Sequence, residues 1–441
     1  MTDLLAFADI RINGARPWDI QVHDRRFFNR VLASGTLGFG ESYMDGWWDC
    51  EALDEMCCRA IRAGIEKRFA FRLPNVWALL TALLVNQQTR LRSRKVGRVH
   101  YDLSNDFFKA MLDPNMQYSC ALFAEGDDLA SAQLRKLDWI CERLRLRPGL
   151  RVLDIGCGWG GLARHAARHY GCQVVGITIS QEQFAYAQRW SCGLDVEIQL
   201  RDYREVTERF DRVVSVGMVE HVGYKNYRTY MRAAARSLGE DGLFLCQAIC
   251  GNFSRFHADP WIKHYIFPNS VLPSLASLTR AAEGVFIVED VKNIGPNYDP
   301  ILLAREENFH RAWPRFADRY SERSGGCGDF ICSVALADFE REVCRSFRSS
   351  FRIASATDNA NLAKSAVRRL TFTAMLSNHP PVPSRGAGRR GSTMQAHPCF
   401  LVNTHPKMRS RARGLPDDDL DRAVPERPAT RDRRIPNVRR C

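Results

Sequence analysis

The chain has 441 residues, 45% hydrophobic and 26% charged, an ordinary balance for a globular protein and long enough for two domains with extensions. Its net charge of +13 is local: residues 324–441 hold 21 Lys+Arg against 11 Asp+Glu, and 9 of the 19 prolines. No apolar stretch reaches the roughly 18 residues of a membrane span, and the first nine residues lack a basic start and a long apolar core, which excludes a helical membrane protein and a secretion signal. The 15 cysteines sit in apolar settings such as Met56-Cys57-Cys58, without the spacing of a disulfide framework or a metal site, and read as free thiols.

In chain order, residues 1–85 are expected to be an N-terminal lipid- or partner-interaction domain, whose apolar spacing fits helix packing better than direct lipid contact. There Trp47-Trp48 precedes Leu53, Met56, Ala60, Ile61 and Ile65 at helical spacing. Residues 86–98 are a polar, basic linker, and basic residues near an anionic lipid surface gain about 1 kcal/mol each. From residue 99, strand and helix signals alternate. The run Val152-Leu-Asp-Ile-Gly-Cys-Gly-Trp-Gly-Gly161 places a strand, a glycine turn and a helix start in succession, with Leu162, Ala163, Ala166 and Ala167 continuing at helical spacing. Gly156 and Gly158 let the backbone approach a ligand closely, at the place where doubly wound sheets bind nucleotides. The glycine spacing is not that of the dinucleotide fingerprint. A second strand, Val174–Ile177, ends in polar Thr178, Ser180, Gln181 and Gln183 instead of a lone acid. A third, Val196–Leu200, runs into Asp202-Tyr203-Arg204, and a fourth, Phe210–Val216, into Glu220-His221. This alternation predicts a parallel sheet. Asp154, the 178–183 loop, Asp202 and Glu220 fit an S-adenosylmethionine methyltransferase better than a dehydrogenase.

Several further runs occur in one order: Gly40-Glu-Ser-Tyr-Met-Asp-Gly-Trp-Trp48, His100-Tyr-Asp-Leu-Ser-Asn-Asp106, Met116-Gln-Tyr-Ser-Cys120, Val216-Gly-Met-Val-Glu-His-Val-Gly223 and Asp259-Pro-Trp-Ile-Lys-His-Tyr-Ile-Phe-Pro268. With them, residues 1–323 closely resemble the bacterial cyclopropane-fatty-acyl-phospholipid synthases. The resemblance implies an α/β, Rossmann-like class I methyltransferase fold at 99–323, with a smaller, mainly helical N-terminal domain. It implies transfer of a methylene from S-adenosylmethionine to the cis double bond of a phospholipid acyl chain, with bound bicarbonate as the base that lets the ring close. Cofactor contacts are implied at Tyr118, Ser119, Asp154, Gly156, Gly158, Thr178, Ser180, Gln181, Gln183, Tyr203 and Arg204. The bicarbonate site is implied at Cys120, Glu220 and Ile249. The expected partners are unsaturated membrane phospholipids, an anionic bilayer surface and a second copy of the chain, not nucleic acid. The expected location is cytoplasmic, peripheral at the inner face of the cytoplasmic membrane. Residues 259–275 are expected beside the sheet, helping to build the acyl site.

Two residues depart from the family pattern. Gln247 stands where the family commonly has His, and cannot carry a proton charge. Glu306 stands where it commonly has a catalytic Tyr; its carboxylate would repel bicarbonate or serve as the base itself. The alternatives are therefore an acyl-chain methyltransferase without ring closure and an inactive lipid-binding relic. The resemblance stops after Arg323. Codons compatible with Ser324–Ser333 read, in the neighbouring frame, Phe-Arg-Arg-Met-Trp-Arg-Phe-Tyr-Leu-Leu, the aromatic and basic text that the family continues with. Residues 324–441 therefore read as an out-of-frame, irregular and disordered basic tail.

Overall fold

Alternating residues of single strands feed two opposite cores in the computed structural model, which describes residues 1–65, 104–256, 258–268, 270–320, 325–326 and 344–353. The linker 86–98, residues 66–103 and residues 354–441 lie outside the described residues. The chain divides into Met1–Leu362 and Ala363–Cys441, and only the first unit contains described residues.

In the N-terminal region, α1 (Thr2–Ala6), α2 (Arg26–Ser34), α3 (Thr36–Met44) and α4 (Leu53–Arg62) surround a two-stranded antiparallel ribbon of β1 (Gln21–Val22) and β2 (Trp48–Asp49). Phe27 and Val31, one helical turn apart, face inward with Trp48, Leu53 and Met56. Trp47 stays half-buried under the guanidinium groups of Arg26 and Arg30, 4.5 and 4.7 Å from its ring.

The larger sheet has seven strands: β3 (Arg151–Ile155), β4 (Gln173–Thr178), β5 (Val196–Leu200), β6 (Phe210–Val216), β7 (Leu238–Gly251), β8 (Phe286–Asn293) and β9 (Cys344–Ile353). Their order is β5-β4-β3-β6-β7-β9-β8. The first five are parallel, and β9 runs antiparallel to both of its neighbours. Val152, Val174, Val214 and Leu245 pack on one face with Leu137, Ile140, Leu162 and Ala166, which belong to α5 (Leu129–Arg143) and α6 (Gly161–Tyr170). Leu153, Ile155, Val213 and Phe244 pack on the other with Tyr230, Met231 and Leu278. The period-two pleat thus places helices on both faces.

One expectation is extended and another corrected. The segment at 259–268 does more than lie beside the sheet. Its Trp261 is buried in the N-terminal core, where a Cβ on Gly40 would strike the indole, and its Tyr265 hydroxyl donates to Glu41 at 2.8 Å. It ties the N-terminal helices to the sheet domain. Nor is the sequence after Arg323 disordered throughout, because residues 344–353 form β9 and the sheet domain extends past the expected boundary. Without β9, β7 would leave a long row of peptide groups unpaired. Main-chain hydrogen bonds make few demands on side chains, and Phe347, Phe351 and Ile353 share one parity in the sequence, an alternation compatible with a strand.

Candidate active site

The carboxyl ends of β3, β4, β5 and β6 form one edge, and the glycine turn lies at its centre. Gly156 (φ +81°) and Gly158 (φ +57°) adopt left-handed backbone, and a Cβ on Gly158 would meet no protein atom within 4 Å. That turn has the open approach a cofactor needs. The Gly156 and Cys157 amides donate to the Ile177 carbonyl at 2.9 and 3.0 Å, fixing the turn against the end of β4. There Ser180 caps α7 (Gln181–Trp190) by accepting from the Gln183 amide, and Thr178 Oγ1 donates to Gln183 Oε1 at 3.0 Å. The Arg201 amide donates to the Thr178 carbonyl at 2.9 Å, drawing the 202–204 turn alongside. In that turn Arg204 pairs with Asp202 at 2.6 Å, and the buried Tyr203 ring packs on Tyr230. Asp154 is buried in β3, where burial pushes its carboxyl up to about 7 and the Lys136 cation opposes that rise.

Residues 113–120 cross over this edge. A Cβ on Gly161 would run into the Asn115 carbonyl, so α6 starts directly beneath the segment. A Cβ on Gly217, just past β6, would come within 3.9 Å of Ser119. Tyr118 and Ser119, far from the glycine run in sequence, thus arrive at the cradle. Three buried side chains hold them there. Lys136 donates to Gln117 Oε1 (2.5 Å) and Ser119 Oγ (3.0 Å), Gln133 to the Ser119 carbonyl (3.0 Å), and Arg305 to the Gln117 and Ser119 carbonyls (3.1 and 3.2 Å). The Arg305 guanidinium also lies 5.0 Å from the Tyr118 ring centroid. None of the three stands out in the sequence as a member of the site. The available signal was in α5, where Gln133 and Lys136 fall on the same buried face as Leu137, Ile140 and Cys141. A buried amide and a buried lysine on an apolar face require partners.

Beside the cradle is an apolar cluster with a buried carboxyl group. Glu220, in the short turn after β6, is buried; its Oε1 accepts from the Ile249 amide at 2.7 Å, and its Oε2 is buried with no hydrogen-bond partner. Burial pushes this carboxyl up to about 7, partly offset by the Ile249 amide. Gln247, also in β7, donates to the Cys120 carbonyl at 3.1 Å, while the Cys120 thiol donates to the Ile294 carbonyl at 3.3 Å. Cys120, Ile249, Ile294, Tyr298 and Ile301 form one cluster, and Cys120, Glu220, Arg305 and Tyr118 all act electrostatically on Tyr298. Glu306 lies half-buried on α8 (Tyr298–Ala312), next to Arg305. Cys120, Glu220, Gln247 and Ile249 are therefore brought together by direct contacts. The arrangement offers a dry, neutral-range acid or base close to a cradle for a small polar cofactor.

A parallel sheet with one reversed strand inserted between β7 and β8, and with this cradle at its edge, is the class I methyltransferase fold. Two solved structures with that fold are cyclopropane synthases: MmaA2 from Mycobacterium tuberculosis (27% identity, TM-score 0.54, covering 60% of this chain and 99% of that one) and CmaA1 complexed with SAH and CTAB (28%, 0.54, 58% and 97%). The family model described as mycolic acid cyclopropane synthetase matches residues 88–326, and this chain belongs to that family. The cyclopropane-fatty-acyl-phospholipid synthase of Escherichia coli (strain K12) is 51% identical over 321 residues, which span 73% of this chain and 84% of that protein.

Proposed function

We propose that this protein is a cyclopropane synthase acting on the cis double bond of unsaturated phospholipid acyl chains. The observation that carries the reading is the buried Glu220 carboxyl, held by Ile249 beside Cys120 and Gln247 at the edge of the glycine cradle. S-adenosylmethionine supplies an electrophilic methyl group when bound. Gly156, Gly158 and the Thr178–Gln183 loop shape its cradle, and Tyr118 and Ser119 close over it. Methylation of an alkene develops positive charge on carbon, and loss of a proton from the added methyl is needed for the ring to close. The apolar walls formed by Ile249, Ile294 and Ile301 exclude water that would trap the cation. The Tyr118 ring opposes its charge. A bicarbonate bound here would accept from protonated Glu220 at Oε2 and from the Gln247 amide group that also donates to the Cys120 carbonyl. It would supply the base.

The test is turnover of dioleoyl phosphatidylglycerol with methyl-labelled S-adenosylmethionine. Released fatty esters should gain one CH₂ and lose their double-bond reactivity. A CH₂ gain with that reactivity retained would identify a methyltransferase without ring closure, and no product would identify a relic. Activity should fall in carbonate-free buffer and return on adding bicarbonate; no fall would leave Glu220 itself as the base.

The proposal extends to a peripheral position on an anionic bilayer and to a homodimer, measurable by light scattering. It also holds that the gene is frameshifted near codon 324. The family match ends at residue 326 although the chain runs to 441. Restoring one nucleotide should give a shorter, less basic and more active protein.

A further inference from the structure

The site lies at one end of β7, and the loop that leaves this strand is unusual for a protein surface. Residues 252–256, Asn-Phe-Ser-Arg-Phe, are all exposed. Phe253 is 72% and Phe256 41% accessible, and Phe253 is the most exposed large hydrophobic side chain among the described residues. The loop is held at its base: the Gly251 amide donates to the Pro273 carbonyl at 2.8 Å, and the Ser254 and Ser274 hydroxyls pair at 2.7 Å. Phe256 rests edge-on against Tyr224, whose ring lies 5.8 Å from the Lys225 ammonium. Arg255 lies between the two phenylalanines in sequence. The loop begins three residues after Ile249, whose amide holds Glu220.

We propose that the Asn252–Phe256 loop is a bilayer anchor. Its two phenyl rings enter the lipid surface, Arg255 and Lys225 meet anionic headgroups, and the active-site mouth is held over the acyl chains. The inference rests on the acyl-chain reading of the active site. The chemistry favours a bilayer over a protein partner: aromatic rings flanked by cations, on a short loop with a fixed base, suit the boundary between headgroup and hydrocarbon. The target double bond also lies in the hydrocarbon, so an enzyme that is held close has less of the chain to draw out of it.

The experiment compares wild type with the F253S/F256S variant, using the full chain and vesicles of dioleoyl phosphatidylglycerol. Removing both rings should weaken vesicle binding by about 100-fold, roughly tenfold for each aromatic group withdrawn from lipid. S-adenosylmethionine affinity and turnover of the same lipid dispersed in detergent should not change. R255E should weaken binding to these vesicles more than to phosphatidylcholine vesicles. In F253W, the introduced indole should be quenched by brominated lipid. Vesicle binding of the double variant within about threefold of wild type, or an unquenched indole at position 253, would overturn the proposal. If wild type turns over no lipid even in detergent, the functional reading fails, while quenching and flotation still decide whether the loop inserts.

Discussion

Replacing Glu220 with Gln should make the protein less active and should make its stability, relative to wild type, rise with pH. The carboxyl is buried, its Oε2 has no partner, and burial moves its titration from 4.5 up to about 7. A carboxyl with a raised folded-state pKa contributes stability that is fully present below about 4.5 and is lost as pH rises through about 7. Integrated over that window, its ionisation costs the wild-type fold about 2 kcal/mol more at pH ~8.5 than at pH ~5.5. Gln preserves the acceptor for the Ile249 amide but does not ionise. It places an amide N–H where Oε2 was, a fixed penalty of about 1–3 kcal/mol at every pH. Asp154 titrates alike in both proteins and drops out of the difference. Relative to wild type, E220Q should therefore gain about 2 kcal/mol between pH ~5.5 and ~8.5 in urea unfolding. Its turnover should fall by about 10²–10⁴, the usual size of a lost acid–base group, and cofactor affinity should barely change. A stability difference independent of pH, or turnover within about threefold of wild type, would refute the reasoning.

Three other outcomes rest on the same geometry. G158A should lose about 1–2 kcal/mol of stability from its left-handed backbone but nearly all affinity for S-adenosylmethionine by calorimetry, because the new methyl points into open space. K136M should weaken cofactor binding at least about tenfold and lower the melting temperature, since Gln117, Ser119 and Asp154 lose a buried cation. Truncation after Leu362 should leave the melting temperature nearly unchanged, whereas truncation after Arg323 should lower it sharply by removing β9; limited proteolysis should then yield a stable fragment ending near Leu362.

The parts of the molecule legible in the sequence are those whose signal is local. The glycine turn, the strand runs and the capping residue Ser180 all declare themselves within a few positions. The pairing of a carboxyl at 220 with the amide at 249 is legible through the family pattern. Lys136, Gln133 and Arg305 are not, because their meaning is set by the groups that lie across from them; in sequence they are ordinary helix residues. The strand at 344–353 is hidden for a related reason. Composition marks residues 324–441 as basic and proline-rich, but a ten-residue strand inside that stretch gains its place from the open ladder of β7, which no local window contains.

The position of β9 also bears on how the chain is made. Among the described residues β8 pairs with β9 alone, and roughly 50 residues separate the end of one from the start of the other. At roughly 5–20 residues per second, a ribosome releases β8 several seconds before its partner exists. During that interval β7 on one side and β8 both present unpaired main chain, while β3, β4, β5 and β6 already have their partners. The vulnerable moment of biosynthesis therefore falls late, and a nascent chain at this stage is the species that chaperones should capture.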